Sequence, residues 1–253
     1  MINIWIQFIR KLDPYTIPVF KLYYMMTYVL VVIVGILFPV LSIFYNIHMK
    51  VRILSNPSFK VIEYKRAFFL LWLLTMLIGL NSIFAHSTSI PLGLSITRLW
   101  PTLIVCFLIS ILFLLMMRQL RNIRDSNAQR VLDKMKEVAF LLPGSRQEFY
   151  WFVTLSFTAG ICEEILFRGF LYNSIRLHLP VIVSVFLTNV SFAVAHSGSG
   201  AKNITGSFIL GVIFSMLYLI TGNLLASMLL HAAIDLNTGV TSFKAIRVLK
   251  REQ

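Results

Sequence analysis

Seven stretches of this chain are apolar for close to the roughly 20 residues that a helix needs to cross the hydrocarbon core of a bilayer. They lie near residues 22–45, 67–85, 100–117, 150–175, 180–196, 204–220 and 223–240. Lipid offers the backbone no hydrogen bonds, so runs of this kind fold as helices, which satisfy their own. The fold class expected is all-α: a polytopic integral membrane helical bundle of about seven to eight transmembrane helices. Composition agrees, with 58% hydrophobic and 13% charged residues and a mean hydropathy of +0.81 over 253 residues, too apolar for a soluble domain. The net charge of +13 does not point to nucleic acid, because most Lys and Arg fall between the apolar runs. They read as topology signals and headgroup contacts, so the lipid bilayer is the expected partner and no nucleic acid is.

Four parts are expected along the chain. Residues 1–117 hold an amino-terminal arm (1–21, with Pro14 and Pro18) and three spans, and residues 118–149 form a basic cytoplasmic loop. Residues 150–240 form a helical core, and 241–253 a basic cytoplasmic tail. The start of the chain lacks a basic region before its first apolar run, and no small-residue cleavage site follows, so that run is expected to be kept. Orientation follows the positive-inside rule. With 118–149 inside, the segment 46–66, Lys202 and the carboxyl tail fall inside as well, whereas Arg10, Lys11, Lys21, Arg98 and Arg176 fall outside. The three amino-terminal cations fit this badly, which leaves room for one more element near the start. Cys106 and Cys162 both lie in apolar runs and offer no disulfide framework.

The acidic residues give the sharper signal. Seven of the ten lie outside the spans; the three inside are Glu163, Glu164 and Asp235. An ionisable group in the middle of a span costs about 3 kcal/mol on insertion scales and marks a functional site by default. On a helix, residues four apart share a face and adjacent ones diverge by about 100°. Glu164 and Arg168 are thus expected to pair, leaving Glu163 facing elsewhere beside the small residues Ala159 and Gly160, which would admit a close neighbouring helix. The same spacing puts Phe192 with His196, and His231 with Asp235. Counted from the outer span ends at 1.5 Å per residue, His231 lies about 12 Å down, Glu163 about 18 Å and His196 about 24 Å, gaps that helix tilt and side-chain reach can close so that the three converge near the midplane. The Ser-Gly-Ser-Gly stretch from Ser197 is expected to give a flexible exit for water or substrate.

These residues carry a resemblance. Glu163, Glu164 and Arg168 read as EExxxR, Phe192 and His196 as FxxxH, and His231 and Asp235 as Hxxx(N/D), in that order over residues 143–240. The pattern resembles the CAAX protease and bacteriocin-processing (Abi) family of glutamic-type intramembrane endopeptidases. The resemblance implies hydrolysis of a peptide bond in a membrane-anchored protein or peptide, with no cofactor. Glu163 would be the general base that activates water with His196, and His231 and Asp235 would stabilise the oxyanion. Glu164, Arg168 and Phe192 would support the site. The last position is often Asn in that family, and an ionised Asp cannot donate a hydrogen bond. Asp235 is therefore expected to act indirectly, by fixing His231 in a donating state.

Other readings use the same residues. Two His and one carboxylate, here Glu163, His196 and His231, also make a common catalytic zinc set. A non-catalytic immunity or regulatory membrane partner would retain the helices without turnover. A proton-coupled transporter would need a polar path through the amino-terminal spans, which is absent. Cys162 sits among apolar residues, where a thiol is unreactive. Ser199 lacks the flanking pattern of a nucleophile. The expected location is the inner (plasma) membrane of a prokaryote, multi-pass, with the carboxyl terminus cytoplasmic.

Overall fold

The computed structural model describes residues 18–84, 90–199 and 201–251. Among these residues every regular element is helical. Helix α1 (Pro18–Val32) runs through a π-helical turn, Ile33–Leu37, into α2 (Phe38–Ser55). The sequence Asn56-Pro57 ends α2: Asn56 is extended, its side chain accepts from Ser58 N at 3.0 Å, and α3 (Phe59–Phe84) begins two residues later. Helix α4 (Leu99–Gln119) crosses back, followed by the short α5 (Asp125–Asp133). Helix α6 (Arg146–Glu164) opens on Ser145 as N-cap, whose Oγ accepts from Glu148 N at 3.2 Å, and the Glu148 carboxylate accepts from Gly144 N at 2.8 Å. It continues through a π-helical stretch, Ile165–Tyr172, to a last turn at Asn173–Arg176. Helices α7 (Val181–Ala195), α8 (Ala201–Thr221) and α9 (Leu225–Leu249) complete the bundle.

Five of these helical stretches are long and apolar enough to cross a membrane: 24–55, 59–83, 99–122, 146–176 and 202–221. The outer faces of α2, α3 and α4 expose large side chains such as Phe44, Phe69, Trp100 and Leu114, an arrangement that suits hydrocarbon and not water. The other two expected spans depart from that standard for different reasons. Helix α7 has 15 residues, about 22 Å of helix, and stops at His196 inside the bundle. Helix α9 is long, but His231, Asp235 and Asn237 dilute its apolar character, and its inner face packs against α6.

Three further expectations are revised. The segment 118–149 is not a free basic loop: Phe140 is buried with Met49 and Ile53, and Tyr64 OH and Lys60 Nζ donate to the carbonyls of Leu141 and Leu142. The segment 241–253 is not a separate tail, since α9 runs on to Leu249 and Ala245 packs with Ile123 and Ala128 of the α5 region. The exit after His196 is no open hinge, because Ser197–Ser199 form a 3-10 turn pressed onto α2, where a Cβ on Gly198 would collide with the Asn46 side chain. Gly200 and most of the arm expected at 1–21 lie outside the described residues; from Pro18 onward that arm is already α1.

Candidate active site

Close approach of α6 and α9 makes the site. A Cβ at Gly160 would stand 2.9 Å from Ala232 Cβ and 3.0 Å from Met228 O, so only glycine lets the two helices meet here. One turn later, at the end of α6, come Glu163 and Glu164; on α9, next to Ala232, comes His231. The small face anticipated around Ala159 and Gly160 thus serves to bring the imidazole of α9 to the carboxylates of α6.

Glu164 and Arg168 pair as their spacing predicts, Oε1 to NH1 at 2.9 Å, and neither side chain has any exposed surface. Burying a guanidinium needs every partner it can find. Arg168 NH2 donates to Asn189 Oδ1 at 2.9 Å and to Gly211 O at 3.0 Å, while the guanidinium lies over the rings of Phe192 (4.4 Å) and Phe214 (5.3 Å). Asn189 passes the network on, donating to Val185 O at 2.8 Å and Ser215 Oγ at 3.0 Å. The π-helical stretch holds Arg168, and such stretches recur at functional sites.

Each histidine is anchored through Nδ1. His196 Nδ1 lies 2.8 Å from Phe192 O; a carbonyl only accepts, so Nδ1 is the donor and Nε2 is turned toward Glu163 Oε2 at 3.5 Å. The turn bearing His196 is itself tied down, with Asn46 Nδ2 donating to Ala195 O at 3.2 Å and Asn203 Nδ2 to His196 O at 2.9 Å. His231 Nδ1 lies 3.0 Å from Glu164 Oε1, and its ring stacks on Phe214 at 4.8 Å. Its Nε2 is 3.9 Å from Glu163 Oε2 and 3.8 Å from Asp235 Oδ2. Two imidazoles therefore present Nε2 to one carboxylate oxygen. That oxygen is buried and has no hydrogen-bond partner among the described residues.

All seven residues singled out in the sequence, Glu163, Glu164, Arg168, Phe192, His196, His231 and Asp235, meet at this point, with Phe192 touching Arg168, His196 and His231. One relation differs from expectation. His231 is oriented by the hydrogen bond that its Nδ1 donates to Glu164, whereas Asp235 stands at ion-pair distance from the opposite nitrogen. Cys162 is fully buried in the apolar core and takes no part. Among the described residues no group of three or more His, Cys, Asp or Glu has an arrangement able to hold a metal ion.

Sequence reasoning missed Asn46, Asn189 and the surroundings of Glu63. The signal for the first two was a lone amide at the end of, or inside, an apolar run. Glu63, 1% exposed, accepts from Tyr45 OH and pairs with Arg52 at 2.9 Å and Arg66 at 3.0 Å.

A cavity of about 940 Å³ leads to the site. Glu163, His196, His231 and Asp235 lie along its wall, which is mainly apolar. Most of that wall comes from α2, α3 and the segment 133–142, including Tyr45, Asn46, Arg66 and Phe140.

Comparison with curated proteins and with solved structures found no match. A family model did match: residues 145–237 fit the one described as type II CAAX prenyl endopeptidase Rce1-like. That segment contains Glu163, Glu164, Arg168, Phe192, His196, His231 and Asp235, and over it the chain is similar to the CAAX protease family.

Proposed function

We propose that this protein is an intramembrane endopeptidase in which Glu163 is the general base. The family is one of peptidases acting on peptide or protein substrates in a membrane setting. The observation that carries the finer reading is the approach of His196 Nε2 and His231 Nε2 to the unpartnered Glu163 Oε2, at 3.5 and 3.9 Å, on the wall of a cavity. With Nδ1 of His196 committed as a donor, its neutral Nε2 and the carboxylate oxygen are both acceptors. A water between them satisfies both by donating a proton to each, which aims its lone pair at an incoming carbonyl.

In the attack, the water oxygen bonds to the carbonyl carbon and its proton passes to Glu163. The oxyanion that forms is met by His231 Nε2–H, with the imidazole in its cationic form. With Glu163 now carrying the proton, the carboxylates of Glu164 and Asp235 flank that cation and compensate its charge. Collapse of the intermediate breaks the C–N bond, and Glu163 returns its proton to the leaving amine. Glu164 is then more than a structural partner, because it joins Arg168 to His231 through one oxygen. The role left for Asp235 is to supply negative charge beside Nε2. We propose that no metal takes part, and that the substrate is a membrane-anchored protein or peptide admitted through the cavity.

Glu163→Gln keeps the shape of the side chain and removes the base. Cleavage of membrane-anchored substrates, followed by comparing the membrane proteomes of cells carrying wild type and variant, is expected to stop while the purified variant melts no lower than wild type. Undiminished cleavage by a folded Glu163→Gln protein overturns the assignment.

A further inference from the structure

A second, smaller pocket lies far from the site, where the start of α6 meets the end of α9. It encloses about 310 Å³, and Arg146, Arg247, Lys250 and Arg251 line it together with Phe243 and Gly144. Four cations around one hollow repel each other unless an anion joins them. None of the four has an ion-pair partner among the described residues. Glu148, two residues after Arg146, is already engaged by Lys60 Nζ at 3.1 Å, Gly144 N and Ser145 Oγ. Beneath the cations the framework is firm: Phe243 stacks on Phe149 at 4.6 Å and 19°, and the Arg247 guanidinium lies 5.6 Å from the Phe243 ring.

The level of the pocket says which anion is available. The helical stretch 146–176 is about 45 Å long at 1.5 Å per residue, the thickness of a bilayer with its headgroups. Arg146 at its first residue therefore lies at headgroup level. We propose that this pocket is a binding site for the phosphate headgroup of an anionic phospholipid. Its two walls are the helices that carry Glu163 and His231, so an occupied pocket ties together the two elements whose close approach makes the site.

The experiment uses the full-length protein in neutral micelles, measuring retained lipid by native mass spectrometry and thermal stability. Phosphatidylglycerol, phosphatidylcholine and inorganic phosphate are added in separate arms. Wild type is expected to retain and be stabilised by phosphatidylglycerol alone. In Arg247→Gln/Lys250→Gln/Arg251→Gln that affinity is expected to fall by roughly a hundredfold, about fivefold per cation removed. The control Arg118→Gln/Arg121→Gln/Arg130→Gln loses the same charge at the same end of the bundle and is expected to bind as wild type does. Equal loss in both triple variants means diffuse attraction and overturns the site. Phosphate matching phosphatidylglycerol overturns the lipid assignment. Should the pocket variant melt below wild type without added lipid, Arg146→Gln, on the other wall, gives the same reading with a loss of about fivefold.

Discussion

Replacing Arg168 by leucine deletes the cation that faces a fully buried carboxylate. Breaking a buried ion pair from one side costs about 3–5 kcal/mol. Asn189 Oδ1 and Gly211 O lose their donor as well, at about 1–3 kcal/mol for each acceptor left unpaired. These losses overlap, since one guanidinium nitrogen serves both acceptors, and about 5 kcal/mol is the expected total. In Glu164→Leu/Arg168→Leu the stranded charge is gone, and the loss is expected to shrink to about 3 kcal/mol, shared by the two acceptors and the His231 Nδ1 donor. Stability thus returns in part, but peptidase activity does not, because His231 Nδ1 has lost Glu164 Oε1 at 3.0 Å. Denaturation of wild type and both variants in one lipid–detergent mixture measures the first quantity, and turnover of a membrane-anchored peptide measures the second. A double variant that regains activity along with stability would refute the orienting role of Glu164. An Arg168→Leu protein as stable as wild type would refute the energetic argument itself.

Gly160→Ala adds a methyl group that meets α9 backbone and Ala232 at 2.9 Å, and the expected result is a loss of about 1–3 kcal/mol with a larger fall in activity than Gly206→Ala, whose Cβ meets nothing within 4 Å. Parallel melts and turnover assays decide it, and equal effects at the two glycines count against the close-approach argument. Asp235→Asn removes a charge from beside His231 and is expected to lower kcat by tenfold or more at unchanged stability, equivalent to about 1.4 kcal/mol of transition-state stabilisation; unchanged or higher activity removes that electrostatic role. Dialysis against a strong chelator is expected to leave activity intact with no zinc detected by elemental analysis, and activity lost on chelation and restored by zinc would favour a metal site at Glu163, His196 and His231.

The helical class and the meeting of the seven site residues were legible because both rest on short-range pattern. Continuous apolar runs mark helices, and an unusual charge inside one marks a place where partners must converge. What could not be read was who bonds to whom across helices. His231 and Asp235 are four apart on one helix, and local spacing alone pairs them. The actual partner of Nδ1, Glu164, is 67 positions away and reaches it only because Gly160 lets α6 and α9 touch. Basic residues over 118–149 suggest a solvated loop for the same reason: charge is visible along the chain, whereas the burial of Phe140 under α2 depends on packing.

The cavity wall has a consequence for how such a protein can change. The residues that would cut lie within 145–237, and most of those that shape the space in front of them lie outside it, on α2, α3 and 133–142. On the proposed reading, much of what sets admission lies in a different stretch of the chain from the chemistry, and the two can drift at different rates. Exchanging residues 24–142 between two chains of this kind should transfer what is admitted and leave the cutting machinery as it was.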